Sequence, residues 1–306
     1  MGKALGVLAL VLGPATALYL AGYTSHAHYV ALGAVLAVQM SLLARPVAGF
    51  SVLLPVAYGA AAITAQSTGG VAALIVAVAA IVGAASSQGL QRGLLAVLAA
   101  TLIGSSEPGT PSTVLTPFLA MLVGSSYGYF LAVTSLRDIV VDARAVQPQT
   151  ALSFAVLLAV LVIVAWVAAG ALELEHGWWV PMAVATAGHP AITGSVRRSL
   201  AILAVTLFGT LLLVSVTELN DSATVRAVTL LTLGLVLLSA GRGRRWLRAL
   251  LFTPLLVLLA VHPGHHPPTV EYLQAALLTC CVVFGVALLG QWLLWTIRPD
   301  LGHARA

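Results

Sequence analysis

The chain is a succession of apolar runs, each about 20 residues long and closed by a short polar or Pro/Gly-rich break, the length a helix needs to cross roughly 30 Å of hydrocarbon. The runs cover residues 4–22, 27–43, 47–66, 69–86, 90–104 and 112–136, then 150–171, 178–195, 199–217, 223–240, 246–262 and 269–297. The breaks include Ser67-Thr68-Gly69-Gly70, Glu107-Pro108-Gly109-Thr110-Pro111, Glu218-Leu219-Asn220-Asp221 and His262-Pro263-Gly264-His265-His266-Pro267-Pro268. Backbone in lipid must satisfy its own hydrogen bonds, so runs of this length predict an all-α integral membrane protein of about 12 transmembrane helices. The small-residue stretches Gly59-Ala60-Ala61-Ala62 and Gly83-Ala84-Ala85-Ser86 predict helices whose backbones approach closely.

The pattern repeats. An offset of 150 residues lays His26-Ala27-His28-Tyr29-Val30 on His176-Gly177-Trp178-Trp179-Val180, Tyr58-Gly59 on Phe208-Gly209, and Arg92 on Arg242. Two halves are therefore expected, residues 1–145 and 146–306, each a six-helix membrane repeat. Six is even, so both halves enter from the same side, which makes the repeats parallel and relates them by an axis along the membrane normal.

Charge orients the bundle. With loops alternating between two sides, the 14 Lys and Arg residues all fall on one side except Arg226. Glu107, Glu173, Glu175, Glu218, Asp221 and Glu271 lie with Arg226, and only Asp138, Asp142 and Asp300 lie with the basic side. The positive-inside rule then predicts N-in and C-in and a multi-pass protein of the cytoplasmic membrane. Lys3, an apolar stretch and Ala15-Thr16-Ala17 imitate a signal peptide, but removing that segment would invert every later loop, so the first run is expected to stay as a span.

Composition narrows the class further. The chain is 60% hydrophobic and 8% charged, where a water-soluble domain carries roughly 25% charge. The net charge of +5 is scattered over short loops with no contiguous patch or aromatic platform, so no nucleic acid is expected and membrane lipids are the natural partner of these arginines. Cys280 and Cys281 are neighbours and cannot form an ordinary disulfide.

Candidate chemistry lies within the spans. Pro190 frees a backbone carbonyl inside the run 178–195, and His189 precedes it roughly 15 Å beyond Trp179, a depth at which a titratable side chain suggests function. Its counterpart at the 150-residue offset is Gln39. His189 reads either as an anion-binding or proton-relaying group or as a neutral histidine bonded to the freed carbonyl. Arg197 and Arg198 end this span and Arg45 ends its counterpart; they are topology determinants or a cationic mouth that gathers anions. Trp179, beside Trp178, reads as an interfacial anchor or as a wall of an outer vestibule. Tyr127, within Gly124-Ser125-Ser126-Tyr127-Gly128-Tyr129, lines a path or packs on another helix. No phosphate loop, dinucleotide fingerprint or nucleophile elbow is present, so an enzyme is not expected. Neither cofactor nor metal is expected, His262, His265 and His266 having no acidic or cysteine ligands nearby.

The series Gly177-Trp178-Trp179-Val180-Pro181-Met182, His189-Pro190, Arg197-Arg198-Ser199-Leu200 and Gly209-Thr210 resembles the fusaric-acid-resistance-like (FUSC) family of aromatic acid exporters. The likeness covers residues 176–210, with His189 where the family pattern has glutamine, Thr206 where it has arginine and Leu213 where it has glycine. Of the pattern, the first half keeps Tyr29, Gln39, Arg45 and Gly59. The resemblance implies six-helix halves, a small organic anion as substrate, and efflux, in a short form without the family's large cytoplasmic domains. The expectation is an exporter of aromatic carboxylates, with proton coupling and a homo-oligomer left open. A passive anion channel or a non-transporting membrane scaffold are the alternatives.

Overall fold

The computed structural model describes residues 2–43, 48–135, 145–174 and 177–187, with a few positions between 274 and 285. All regular structure among them is helical. In chain order the helices are α1 (Gly2–Leu20), α2 (Thr24–Leu43), α3 (Ala48–Thr64), α4 (Thr68–Ala84), α5 (Gln91–Ser105), α6 (Pro111–Ser135), α7 (Pro148–Ala171) and α8 (Trp179–Ala187).

Local chemistry sets their ends. Ser67 caps α4, its hydroxyl accepting the amide of Gly70 at 3.3 Å. A single 3-10 turn, Ala85–Gln88, follows α4 and closes on Gly89 at φ +73°, a left-handed conformation that glycine adopts without strain. Pro148 opens α7, where a missing amide costs nothing. The turn after α7 holds Glu173 at φ +52°, the one non-glycine residue with positive φ among the described residues.

Helix α5 is the centre. Every residue from Gly93 to Gly104 is buried, and α2, α3, α4 and α8 pack around it. One continuous apolar core joins Leu36, Tyr58, Ile75, Leu98, Leu158 and Val180 from six different helices. Helix α6 lies along α2 and α3, α7 along α4 and α8, and α1 along α2.

The tight contacts use glycine. A Cβ built on Gly124 or Gly128 of α6 would collide with the backbone of Val30 or Ala34 on α2, and one on Gly83 of α4 would collide with that of Ala155 on α7. Gly124 and Gly128 form the G-x-x-x-G spacing that lets membrane helices touch along their backbones. The hydroxyl of Ser125 between them donates to the carbonyl of Ser51 on α3 at 2.7 Å.

The outward surfaces are apolar. On α7, Leu152, Val156, Val160, Val164 and Val167 form a helical stripe, each between 50% and 66% exposed. Water would penalise such a stripe and hydrocarbon would not. Helices α4 with its 3-10 turn, α6 and α7 are long and apolar enough to cross a membrane; the apolar segments of α1, α3 and α5 are shorter. The chain is a membrane protein with three candidate spans among the described residues.

Candidate functional site

The loop between α5 and α6 folds over the ends of α2 and α3. The amide of Gly109 donates to the carbonyl of Ala62 at 3.1 Å, and the side-chain amide of Gln66 donates to the carbonyl of Gly109 at 2.9 Å. These bonds carry Glu107 inward to the first turns of α2 and the last turns of α3. There Tyr29 and Tyr58 both donate their hydroxyls to the same oxygen, Oε2 of Glu107, each at 2.6 Å. The start of α2, the end of α3, the end of α5 and the start of α6 thus meet at one end of the bundle, so α2 and α6 run together and α3 and α5 run against them.

The two rings sit 5.6 Å apart at 61°, and the ring of His28 meets that of Tyr29 edge-on at 5.2 Å. Tyr58 is fully enclosed, whereas Tyr29 and Glu107 are half-buried. No basic side chain pairs with Glu107 among the described residues, so the phenols are what replaces its hydration. Both contacts lie at the short end of the range for O–H···O hydrogen bonds. The arrangement is a carboxylate receptor, two convergent hydroxyls flanked by aromatic faces, and the chain's own side chain occupies it.

At the opposite end, the amide of Val146, in the linker before α7, donates to the carbonyl of Ser86 in the 3-10 turn at 3.1 Å. Arg92 follows at the start of α5, on this side. The acid Glu107 and the base Arg92 therefore lie at opposite ends of the same helix, as the alternation of loops requires.

The residues singled out from sequence are spread through the bundle. Gln39 lies on α2 some ten residues beyond Tyr29, roughly 15 Å along the axis, and its buried Oε1 has no hydrogen-bond partner among the described residues. Trp179 opens α8 and is 3% exposed; with Trp178 it packs into the protein core, where a headgroup anchor would face outward. Tyr127 is half-buried on α6 against the small cluster of Val11, Ala34 and Leu131. In the stretch around it, glycines and Ser125 serve helix packing. Arg45, His189, Arg197 and Arg198 lie outside the described residues, as do His262, His265 and His266. Among the described residues no three His, Cys, Asp or Glu side chains gather where a metal could be held.

Tyr58 and Glu107 were not recognisable as a pair in the sequence. Their signal was depth alone: Tyr29 and Tyr58 each sit about one and a half turns from the same membrane edge, in helices that run in opposite directions.

Residues 163–289 match the family model described as fusaric acid resistance protein-like. That segment includes Trp179, His189, Arg197, Arg198 and the Gly209-Thr210 pair. No curated protein and no solved structure matches the chain.

Proposed function

We propose that this chain, whose residues 163–289 match the fusaric acid resistance protein-like family, is a member of that family and a transporter that exports small organic anions, aromatic carboxylates foremost, across the cytoplasmic membrane. The family match carries the reading; it supports a transport and efflux role. Charge supports the direction. With Lys3, Arg45, Arg92, Arg137, Arg144, Arg197 and Arg198 facing the cytoplasm, anions gather at the intake, while Glu107 and Glu173 at the other end discourage their return.

In this reading the chain forms about twelve helices in two parallel six-helix repeats, 1–145 and 146–306. Arg45, Arg197 and Arg198 collect the anion, His189 and Gln39 bind or gate it near mid-membrane, Trp179 and Tyr127 shape its surroundings, and the proton gradient drives export. The unpartnered Oε1 of Gln39 favours such a role, because a buried amide oxygen without a donor costs about 1–3 kcal/mol. A proton-bearing group or a bound water would relieve it.

The test is flux of radiolabelled benzoate, cinnamate and succinate from liposomes holding the purified protein, with and without a pH gradient. Wild-type protein is expected to move the aromatic acids, and His189→Ala and Arg197→Ala to slow them at least about tenfold, the scale of one lost charge-assisted contact. Equal flux with empty liposomes refutes transport. Flux that ignores the pH gradient in both directions identifies a passive channel.

A further inference from the structure

The pair of hydroxyls around Glu107 has a chemistry that a structural brace does not need. A brace would be served by one hydrogen bond from either helix. Here two phenols, one from α2 and one from α3, converge on a single oxygen at 2.6 Å each, and their inclined rings stand 5.6 Å apart beside it. Convergent O–H donors recognise a carboxylate, and the two rings, packed edge-on against each other, offer aromatic surface beside it. The ligand they hold is carried by a loop, one residue before Pro108, and its second oxygen has no protein partner among the described residues.

We propose that Tyr29 and Tyr58 are a carboxylate-binding subsite at the exit end of the transporter, that Glu107 fills it as an internal stand-in for the substrate, and that an exported aromatic carboxylate leaves by displacing Glu107 from the two hydroxyls. The inference rests on the export reading above. Its physical logic is exchange between like groups: the departing carboxylate borrows the donors that Glu107 gives up, so neither negative charge is left without a hydrogen bond. When the substrate has gone, Glu107 returns, and its charge at the vacated hydroxyls opposes re-entry of an external anion. Glu107 ties the loop to α2 and α3, so its release leaves the loop held by the bonds of Gly109 to Ala62 and Gln66 and loosens the backbone around it.

Benzoate is the probe. In purified full-length protein, Glu107→Gln keeps the shape and an acceptor oxygen but removes the charge, weakening the internal competitor. Benzoate should then bind about tenfold tighter than to wild type, and adding Tyr29→Phe with Tyr58→Phe should abolish that gain. Unchanged or weaker binding by a folded Glu107→Gln protein overturns the proposal and leaves Glu107 as a brace. Wild-type protein provides a readout that needs no variant: by hydrogen exchange, benzoate should speed deuterium uptake in the segment 105–110, and unchanged or slower uptake overturns the proposal. The two readings fail differently. Absent benzoate flux in wild-type liposomes refutes export, whereas normal flux with unaltered affinity in Glu107→Gln refutes the subsite alone.

Discussion

Gly124 on α6 rests against the carbonyl of Val30 on α2 so closely that a methyl group on it would enter the space of the oxygen. The same relation recurs one turn on, between Gly128 and Ala34, so the two helices touch along a line of backbone. Gly124→Ala must push the helices apart, and overpacking of this kind costs about 1–3 kcal/mol. Gly13 on α1 is the control, since a Cβ there meets nothing within 4 Å. Gly13→Ala is expected to leave the melting temperature in detergent unchanged or slightly higher, by relieving a helical glycine worth about 0.5–1 kcal/mol, while Gly124→Ala lowers it by several degrees.

Ser125 donates to the carbonyl of Ser51 from a position with no exposed surface. Ser125→Ala should therefore cost only about 0.5–1.5 kcal/mol, since the hydroxyl joins two packed helices and lines no path. Thermal unfolding should register that loss, and benzoate flux at a temperature where the variant is folded should match wild type.

Glu173 holds a left-handed backbone that glycine or asparagine adopts more easily. Glu173→Gly is expected to be neutral or to raise stability by up to about 1 kcal/mol, the relief of strain being partly offset by a more flexible unfolded chain. A fall in the melting temperature would mean that the Glu173 side chain makes a contact worth more than the strain.

The ends of the bundle predict accessibility. In a cysteine-free background, Ser67→Cys should react with a membrane-impermeant maleimide applied to intact cells, and Ala145→Cys should react only after the membrane is opened. Labelling of position 145 from outside would reverse the orientation drawn from the arginines and with it the proposed direction of export.

Much of the helical layout was legible from the apolar runs, because lipid forces backbone to bond within a segment and leaves long uncharged stretches as the trace. The run 112–136 is α6, Pro111–Ser135, and the run 150–171 is α7, Pro148–Ala171. What could not be read was which surface faces lipid and which faces protein. Both environments are apolar, so α5, wholly enclosed, and α7, exposed along one stripe, look alike as sequence. The Gly-rich stretches announced close packing but not the partners. Glu107 looked like an outer acid and no more, because its two donors lie 78 and 49 residues away and no local spacing records them. Trp179 was readable as an aromatic at a membrane edge; its burial in the core depends on how α8 lies against α5 and α7.

The bond from Val146 to Ser86, together with the contact of Gly83 on Ala155, ties α7 to the helices that precede the linker. The division into repeats expected at residue 145 would separate α4 from α7, yet α7 is seated against α4. A nick within 137–144 would consequently not release two autonomous modules. The severed pieces should copurify and regain their fold when coexpressed, and the amino-terminal piece alone should expose an uncovered small-residue groove on α4. Under the proposed export role, the close packing of α4 on α7 predicts that these two helices move together.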